Sequence, residues 1–335
     1  PHRLPPGGVG DGTGMIQRYD FAPLDGITKV VFRQVYHRMF GGADRYFIPF
    51  FSPTDQHILT KRDQRELDPA ANAGLPVVPQ VMTRRAPDFL WAAEIVADMG
   101  YTEVNLNLGC PSGTVTAKGK GAGFLAKPEE LERFFDEVFA AVKLPVSVKT
   151  RLGVKEPEEF ERLLDIYNRY PIACLTIHPR VQKQFYKGPV HRDWFAWAAE
   201  RSRNPLCYNG DLVTVEDCTV FAVDFPAIDA VMIGRGAIAD PALLRKLRGG
   251  VPATRQELQT FTRTLYQSYQ DFYGQVGPAA QRMKEVWFFL IHLFEGGERH
   301  DKKMRRLRTP GEYEAVEASI FQELPLRDHA AGAFR

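Results

Sequence analysis

With 335 residues, the chain is longer than an ordinary small domain and suits one barrel-sized domain plus an appendage. Hydrophobic residues at 44% and charged residues at 25% exclude wholesale disorder and fibrous architecture. The 43 basic and 41 acidic side chains leave a formal charge of +2, which excludes nucleic-acid attraction by the whole surface and leaves only a local patch.

The first fourteen residues, PHRLPPGGVGDGTG, precede Met15 and lack a charged-then-apolar signal pattern, so a disordered leader or tag is expected at 1–14. From Ile16, short β-rich runs alternate with amphipathic stretches: Gln17–Ala22, Asp44–Phe47, a loop-like Phe50–Leu75, then Val77–Met82 and Glu103–Leu108. Pro128 then opens a helical pattern with Leu131, Phe134, Phe135, Val138, Phe139 and Val142 on one face. Further strands are expected at Val146–Lys149, Ala173–His178, Leu206–Asn209 and Asp229–Ile233. Eight strands alternating with helices predict an α/β fold, a (β/α)8 TIM barrel over 15–250. After Gly249-Gly250, Thr254–Gly274, Ala279–Phe294 and Thr309–Phe321 read as helices without intervening strands, a small all-helical C-terminal domain over 251–325. Even its apolar run Trp287–Phe294 is broken by His292, far short of the roughly 18 residues of a membrane span, so no membrane partner is expected.

The four cysteines, Cys110, Cys174, Cys207 and Cys218, lack both CxxC spacing and disulfide density. A reducing, cytoplasmic setting follows, with no metal site expected. Working residues of a barrel sit at the C-terminal ends of its strands, and here those ends are polar. A period of two puts Asn105 and Asn107 on one face of the fourth strand, Lys149 and Arg151 on one face of the fifth, and Cys174, Thr176 and His178 together on the sixth. Amides there either cap loops or meet a ligand, and two inward cations either snorkel to solvent or pair with carboxylates, or else hold an anion or an electron-rich ring between them. Asn209-Gly210-Asp211 and Ile233-Gly234-Arg235-Gly236 follow the last two strands, where barrels commonly build a phosphate site from glycine-rich backbone. In the helical domain, Arg299, Lys302, Lys303, Arg305, Arg306 and Arg308 face a single acid, Asp301, although such runs are more often solvated faces than binding sites.

FAPLDGITKVVFR, NLNLGCP followed by GAGFL, VKTRLG, TIHPR, YNGD and MIGRGAIADP, in this order between about Phe21 and Phe321, resemble the dihydrouridine synthase family of flavin enzymes that reduce uridines in RNA. The resemblance implies FMN in the barrel mouth, with Ala22, Pro23 and Leu24 bordering the ring, Gln80 and Lys149 at its polar edge and His178 beside it. It also implies ribityl and phosphate contacts at Asn209, Gly210, Asp211, Gly234 and Arg235, Cys110 as the general acid, and Asn107 and Arg151 holding uracil. Arg282 and Lys284 loosely resemble part of the family's basic RNA-binding helix. NADPH is the implied electron donor, RNA (foremost tRNA) the implied partner, and a monomer the expected state. The chain departs from the family pattern after His178, where Pro179-Arg180-Val181 replaces the usual Gly-Arg-Thr, and in FAPLDG, which replaces the commoner Ala-Pro-Met start.

Three competing readings make different predictions. A flavin barrel acting on a small molecule would turn over free substrate without RNA. A synthase of the same family could act on ribosomal RNA. An RNA-binding barrel that has lost the reaction would be colourless. The helical tail opposes the first, and the intact Cys110, Lys149 and phosphate loops oppose the last.

Overall fold

The computed structural model describes residues 15–332; the expected leader or tag lies outside the described residues. The first half of the alternation comprises β1 (Arg18–Phe21), α1 (Val30–Met39), β2 (Arg45–Phe51), α2 (Lys61–Leu67), β3 (Val77–Val81), α3 (Ala86–Asp98), β4 (Val104–Leu108), α4 (Gly113–Thr116) and α5 (Pro128–Ala141). It continues with β5 (Val146–Gly153), α6 (Phe160–Tyr167), β6 (Leu175–Val181), α7 (Arg192–Arg201), β7 (Leu206–Asn209), α8 (Val215–Asp224) and β8 (Ala230–Ile233). There follow α9 (Arg235–Ala239), α10 (Leu243–Leu247), α11 (Arg255–Tyr273), α12 (Val276–Leu290), α13 (Glu298–Arg306) and α14 (Pro310–Glu323). The eight strands close in chain order into a parallel barrel, so the expected (β/α)8 architecture is the one observed. Among the described residues, no helix is long and apolar enough to cross a membrane.

Three departures from the expected elements have local causes. Phe50–Leu75 is not all loop, because α2 forms within it; Thr60 caps it by accepting from the Asp63 N–H at 3.1 Å, and only Leu67 is buried. β2 runs on through Pro49 to Phe51, with a register shift between Ile48 and Phe51 where proline has no N–H to give. The basic run from Arg299 forms a helix of its own, α13, which buries only His300 and Met304.

The described residues fall into two compact units, 15–23, 45–210 and 221–232 in the first, 24–44, 211–220 and 233–332 in the second. In the first unit, β4 buries every residue, with Val104, Leu106 and Leu108 alternating with Asn105 and Asn107. α5 starts at Pro128 with Glu129 and Glu130 at the positive end of its dipole. Its buried face supplies Leu131, Phe134, Phe135 and Val138; Phe134 meets Phe89 of α3 edge-on at 5.8 Å and Phe135 meets Tyr167 of α6 at 5.9 Å. Each such ring contributes roughly 1.5–3 kcal/mol by leaving water.

In the second unit, Phe261 of α11 packs edge-on against Phe32 and Phe40, 6.2 and 5.2 Å between centroids. α11 and α14 each begin with a reciprocal capping box, Thr254 with Glu257 and Thr309 with Glu312, and α11 ends at Gly274 in the left-handed region at φ 66°. Trp287 of α12 is fully buried and donates its indole N–H to Tyr313 at 3.2 Å. Between α11 and α14, Glu317 is 6% exposed and accepts from the Thr262 hydroxyl at 2.6 Å, and burial pushes its carboxyl above the ordinary range. An acid whose folded pKa is raised favours folding below its unfolded value, and that contribution disappears as pH rises through the folded pKa. Glu317→Gln, which keeps an acceptor for Thr262, is therefore expected to raise the thermal midpoint at pH 8, with the gain shrinking towards pH 4.5. Calorimetry across that range checks it; a lower midpoint at pH 8 contradicts it.

Candidate active site

The inward residues of β3, β4 and β5 form one hydrogen-bonded chain within the first unit. Asn107 Oδ1 accepts from the backbone N–H groups of Gly109 at 3.0 Å and Cys110 at 2.9 Å. Asn107 Nδ2 donates to Gln80 Oε1 at 3.0 Å, Gln80 Nε2 to Asn105 Oδ1 at 2.8 Å, and Asn105 Nδ2 to Ser147 Oγ at 2.8 Å. The Ser147 hydroxyl donates in turn to Glu103 at 2.8 Å, and Arg45 Nη1 holds both Glu103 oxygens at 3.0 and 2.9 Å. Register explains the meeting, since Asn105 pairs with both Gln80 and Ser147 across adjacent strands. Gln80, expected at a flavin edge, and Asn107, expected at a uracil, thus each spend part of their amide inside the barrel.

Cys110 lies on the loop that this chain supports. Its carbonyl accepts from the Ala122 N–H at 3.0 Å, and Gly121, at φ +55°, sits so close that a Cβ there would lie 2.9 Å from the Cys110 oxygen. Arg151 Nε donates to the Gly109 carbonyl at 2.9 Å and Gln182 Nε2 to the Pro111 carbonyl at 3.0 Å. The loop main chain is fixed from four directions while the Cys110 side chain stays half-exposed; Cys174, Cys207 and Cys218 are buried.

Lys149, Arg151 and Arg180 bring three cationic side chains to the ends of β5 and β6, with Lys149 half-buried and the two arginines fully buried. Arg151, expected at the substrate, also gives Nη1 to the carbonyls of Val181 at 3.1 Å and Phe185 at 2.6 Å, and its guanidinium lies 5.2 Å from the Tyr186 ring centroid. Burial lowers its pKa to about 10, against the raising influence of Tyr186. Arg180 Nη1 stands 3.0 Å from His178 Nε2 and Nη2 donates to the Gly188 carbonyl at 2.7 Å. Because a guanidinium only donates, His178 Nε2 is the acceptor and its ring proton sits on Nδ1. Tyr186 stacks on His178 with centroids 6.1 Å apart. Gly210, at φ +148°, admits this packing, because a Cβ there would meet Val190 Cγ1 at 2.9 Å and His178 Cδ2 at 3.4 Å. Nearby in sequence, Asn209 is half-buried and donates Nδ2 to the Met232 carbonyl at 3.0 Å. Ala22 is buried and Pro23 half-buried.

In the second unit, Leu24 is half-buried and its N–H donates to the Thr28 hydroxyl at 2.9 Å. Asp211, at φ +54°, pairs with Arg235 at 3.1 Å, and Gly234 is the residue immediately before α9. Arg282 pairs with Glu285 at 3.1 Å and reaches the Gly26 carbonyl at 3.5 Å, while Lys284 reaches the Leu307 carbonyl at 3.4 Å. Arg299, Lys302, Lys303, Arg305, Arg306 and Arg308 are all exposed, although Arg305 pairs with Asp301 at 2.9 Å and lies 5.1 Å from the Phe288 ring centroid.

Sequence reasoning missed Glu103, Ser147, Gln182 and Tyr186. Glu103 extends the period-two polar face of Asn105 and Asn107, a signal that was available; Ser147 becomes visible only through strand register. Among the described residues, no group of three or more His, Cys, Asp or Glu is placed to hold a metal.

Comparison with known proteins supplies an independent line. The family model described as dihydrouridine synthase matches residues 20–324. A protein of Synechocystis sp. described as a probable tRNA-dihydrouridine synthase 1 is 31% identical over 281 residues, covering 80% of this chain and 76% of its own length. A tRNA-dihydrouridine(16) synthase of Ralstonia nicotianae is 32% identical, covering 70% of this chain and 73% of its own. Among solved structures, a morphinone reductase variant in complex with tetrahydroNAD superposes with a TM-score of 0.52 at 15% identity, over 71% of this chain and 88% of its own; at that identity the likeness speaks for the barrel fold alone.

The clamp on the loops carries its own expectation. Lysine cannot serve three carbonyls in fork geometry, so Arg151→Lys should cost about 1–3 kcal/mol through buried acceptors left unpaired. Urea unfolding measures this, and hydrogen exchange over 181–188 should accelerate with it; wild-type stability would show the guanidinium bonds to be dispensable.

Proposed function

Since this chain belongs to the dihydrouridine synthase family, we propose that it reduces uridine to 5,6-dihydrouridine in tRNA, using FMN and NADPH, with Cys110 as the general acid. The observation that carries the reading is the Cys110 loop, in which a half-exposed thiol stands on a main chain fixed by Asn107, Ala122, Arg151 and Gln182. A proton donor needs that combination of fixed position and access.

The residues present suit an FMN group by their chemistry. Lys149 offers an ammonium and Gln80 an N–H donor to the electron-rich edge of a flavin, with His178 beside it. Arg235 offers a planar fork to a phosphate, in competition with Asp211 at 3.1 Å. Ala22, Pro23, Leu24, Asn209, Gly210, Asp211 and Gly234 complete the proposed cofactor contacts. When bound and reduced, FMN would supply a hydride for carbon 6 of the uracil. Cys110 gives its proton to carbon 5, and solvent returns one to the thiol. Asn107 and Arg151 hold the uracil, Asn107 through the N–H it keeps outside the internal chain. The uracil must leave its stack to reach a barrel mouth, so the helical C-terminal region, with the basic side chains of α13 and with Arg282 and Lys284, is assigned the tRNA itself.

Cys110→Ala should keep bound FMN and its reduction by NADPH yet lose about 10²–10⁴-fold in dihydrouridine formation. Stopped-flow absorbance separates the two half-reactions, and flavin released on denaturation identifies the cofactor. Release of FAD, or of no flavin from folded protein, would refute the cofactor assignment; undiminished RNA reduction would move the acid role elsewhere. Mapping dihydrouridine in tRNA and ribosomal RNA with and without the protein identifies the target, with position 16, named for the Ralstonia relative, mapped first.

Replacing Lys302, Lys303, Arg305 and Arg306 by Ala should weaken tRNA binding and flatten its salt slope by roughly one unit for each phosphate no longer neutralised. Oxidation of NADPH by the flavin alone should not change. An unaltered salt slope would mark the basic face of α13 as solvated surface and shift tRNA binding to Arg151, Lys118 or Lys120.

A further inference from the structure

The chain between Cys110 and Glu103 has a single polarity. A carboxylate accepts and does not donate, so Ser147 must give its hydroxyl proton to Glu103, 2.8 Å away. Its oxygen is then left to accept from Asn105 Nδ2, which turns Asn105 Oδ1 towards Gln80 Nε2 and Gln80 Oε1 towards Asn107 Nδ2. Asn107 Oδ1 is left facing the N–H groups of Gly109 and Cys110. Five successive donor-to-acceptor links thus run one way, through side chains that are buried from Ser147 to Asn107. Aligned links of this kind polarise one another. Arg45 holds Glu103 with both oxygens engaged, and the Glu103 side chain is 17% exposed.

We propose that Glu103 is a positioning residue: it fixes the amide orientations of Asn105, Gln80 and Asn107, and through Asn107 it sets the main chain that carries Cys110. The reversed polarity would present N–H₂ to the two backbone N–H groups, donor against donor, and release the loop. The same orientation leaves Asn107 one N–H outside the chain, while its Oδ1 is taken by the Gly109 and Cys110 N–H groups. Asn107 is thereby a donor towards whatever binds beside Cys110, a match for carbonyl oxygens or ring nitrogens and a mismatch for N–H groups. For the reaction, this rests on the proposed general-acid role of Cys110.

Two variants test it: Ser147→Ala, which breaks the link and leaves the Arg45–Glu103 pair, and Glu103→Gln, which keeps shape but permits either polarity. In each, amide exchange at Gly109 and Cys110 should accelerate by about tenfold or more, read by mass spectrometry on apo protein with its thermal midpoint as a folding check. In the holoenzyme, kcat for uridine reduction should fall about tenfold or more while KM for RNA changes less than about threefold, because position and not binding is lost. The double variant should be no worse than either single one, since both break the same chain. Unchanged exchange at Gly109 and Cys110, additive effects, or accelerated exchange with wild-type kcat would each overturn the proposal. If the wild-type holoenzyme forms no dihydrouridine while exchange responds as expected, the reaction assignment fails and the anchoring of the loop by Glu103 stands.

Discussion

The two bonds from Arg45 to Glu103, 3.0 and 2.9 Å long, anchor the interior of the barrel. A closed parallel barrel has no free edge and little internal water, so every inward polar group must find its partner among the side chains of neighbouring strands. Arg45 satisfies Asp20 as well, at 3.2 Å, and Arg18 reaches the same carboxylate at 3.2 Å. These ions neutralise one another at one level of the barrel, and the amides above them inherit a fixed acceptor on which to build. Removing one member of such a pair costs about 3–5 kcal/mol, because its partner is left charged and unpaired. Here the cost would fall on orientation as well as stability, since the amide chain starts from the same carboxylate.

At the other end of the strands the chemistry changes sign. β5 and β6 carry Lys149, Arg151 and Arg180, and burial already lowers Arg151 to about 10. Cations held in that position are costly without an electron-rich group, yet the protein puts two of them to structural use: Arg151 ties together the loops after β4 and β6, and Arg180 fixes the His178 tautomer. The ends of β5 and β6 are thus stiff before any ligand arrives. Such preorganisation is what allows electrostatic stabilisation without rearrangement during the reaction.

How much of this was legible in the sequence depended on whether the signal was local. All eight strands were legible because each is a short β-rich run between turn residues, and Pro128 with its apolar stripe marked α5. α2 was not, because KRDQREL has no apolar face; its one local sign was Thr60 three residues before Asp63. The polar face of β4 could be read from alternation, but Asn105 bonds to the side chains of Gln80 and Ser147, which is neither the loop cap nor the ligand contact expected of it. Its link to Ser147 could not be read, because strand register is a tertiary property. Arg151 shows the limit most clearly. Alternation placed its side chain inward, but the three carbonyls it serves come from residues 30 to 42 positions away in the chain.

The four cysteines show why position outweighs composition. Cys218 is pushed up to about 12 by burial, so its proton is held but out of reach. Cys174 is lowered to about 7 by its hydrogen bond with Cys207, with Arg18 adding to the effect at 3.2 Å, while burial pushes Cys207 up. That pair is buried in the apolar core cluster with Ala22, Phe47 and Met232. A general acid must hold a proton, reach the substrate and recover a proton from solvent before the next turnover. Cys110 alone of the four is half-exposed, and its loop is the one to which Glu103, Arg151, Gln182 and Ala122 all contribute restraint. The fold therefore leaves one thiol half-exposed on a hydrogen-bonded main chain and buries the other three, which supports the general-acid role proposed for Cys110.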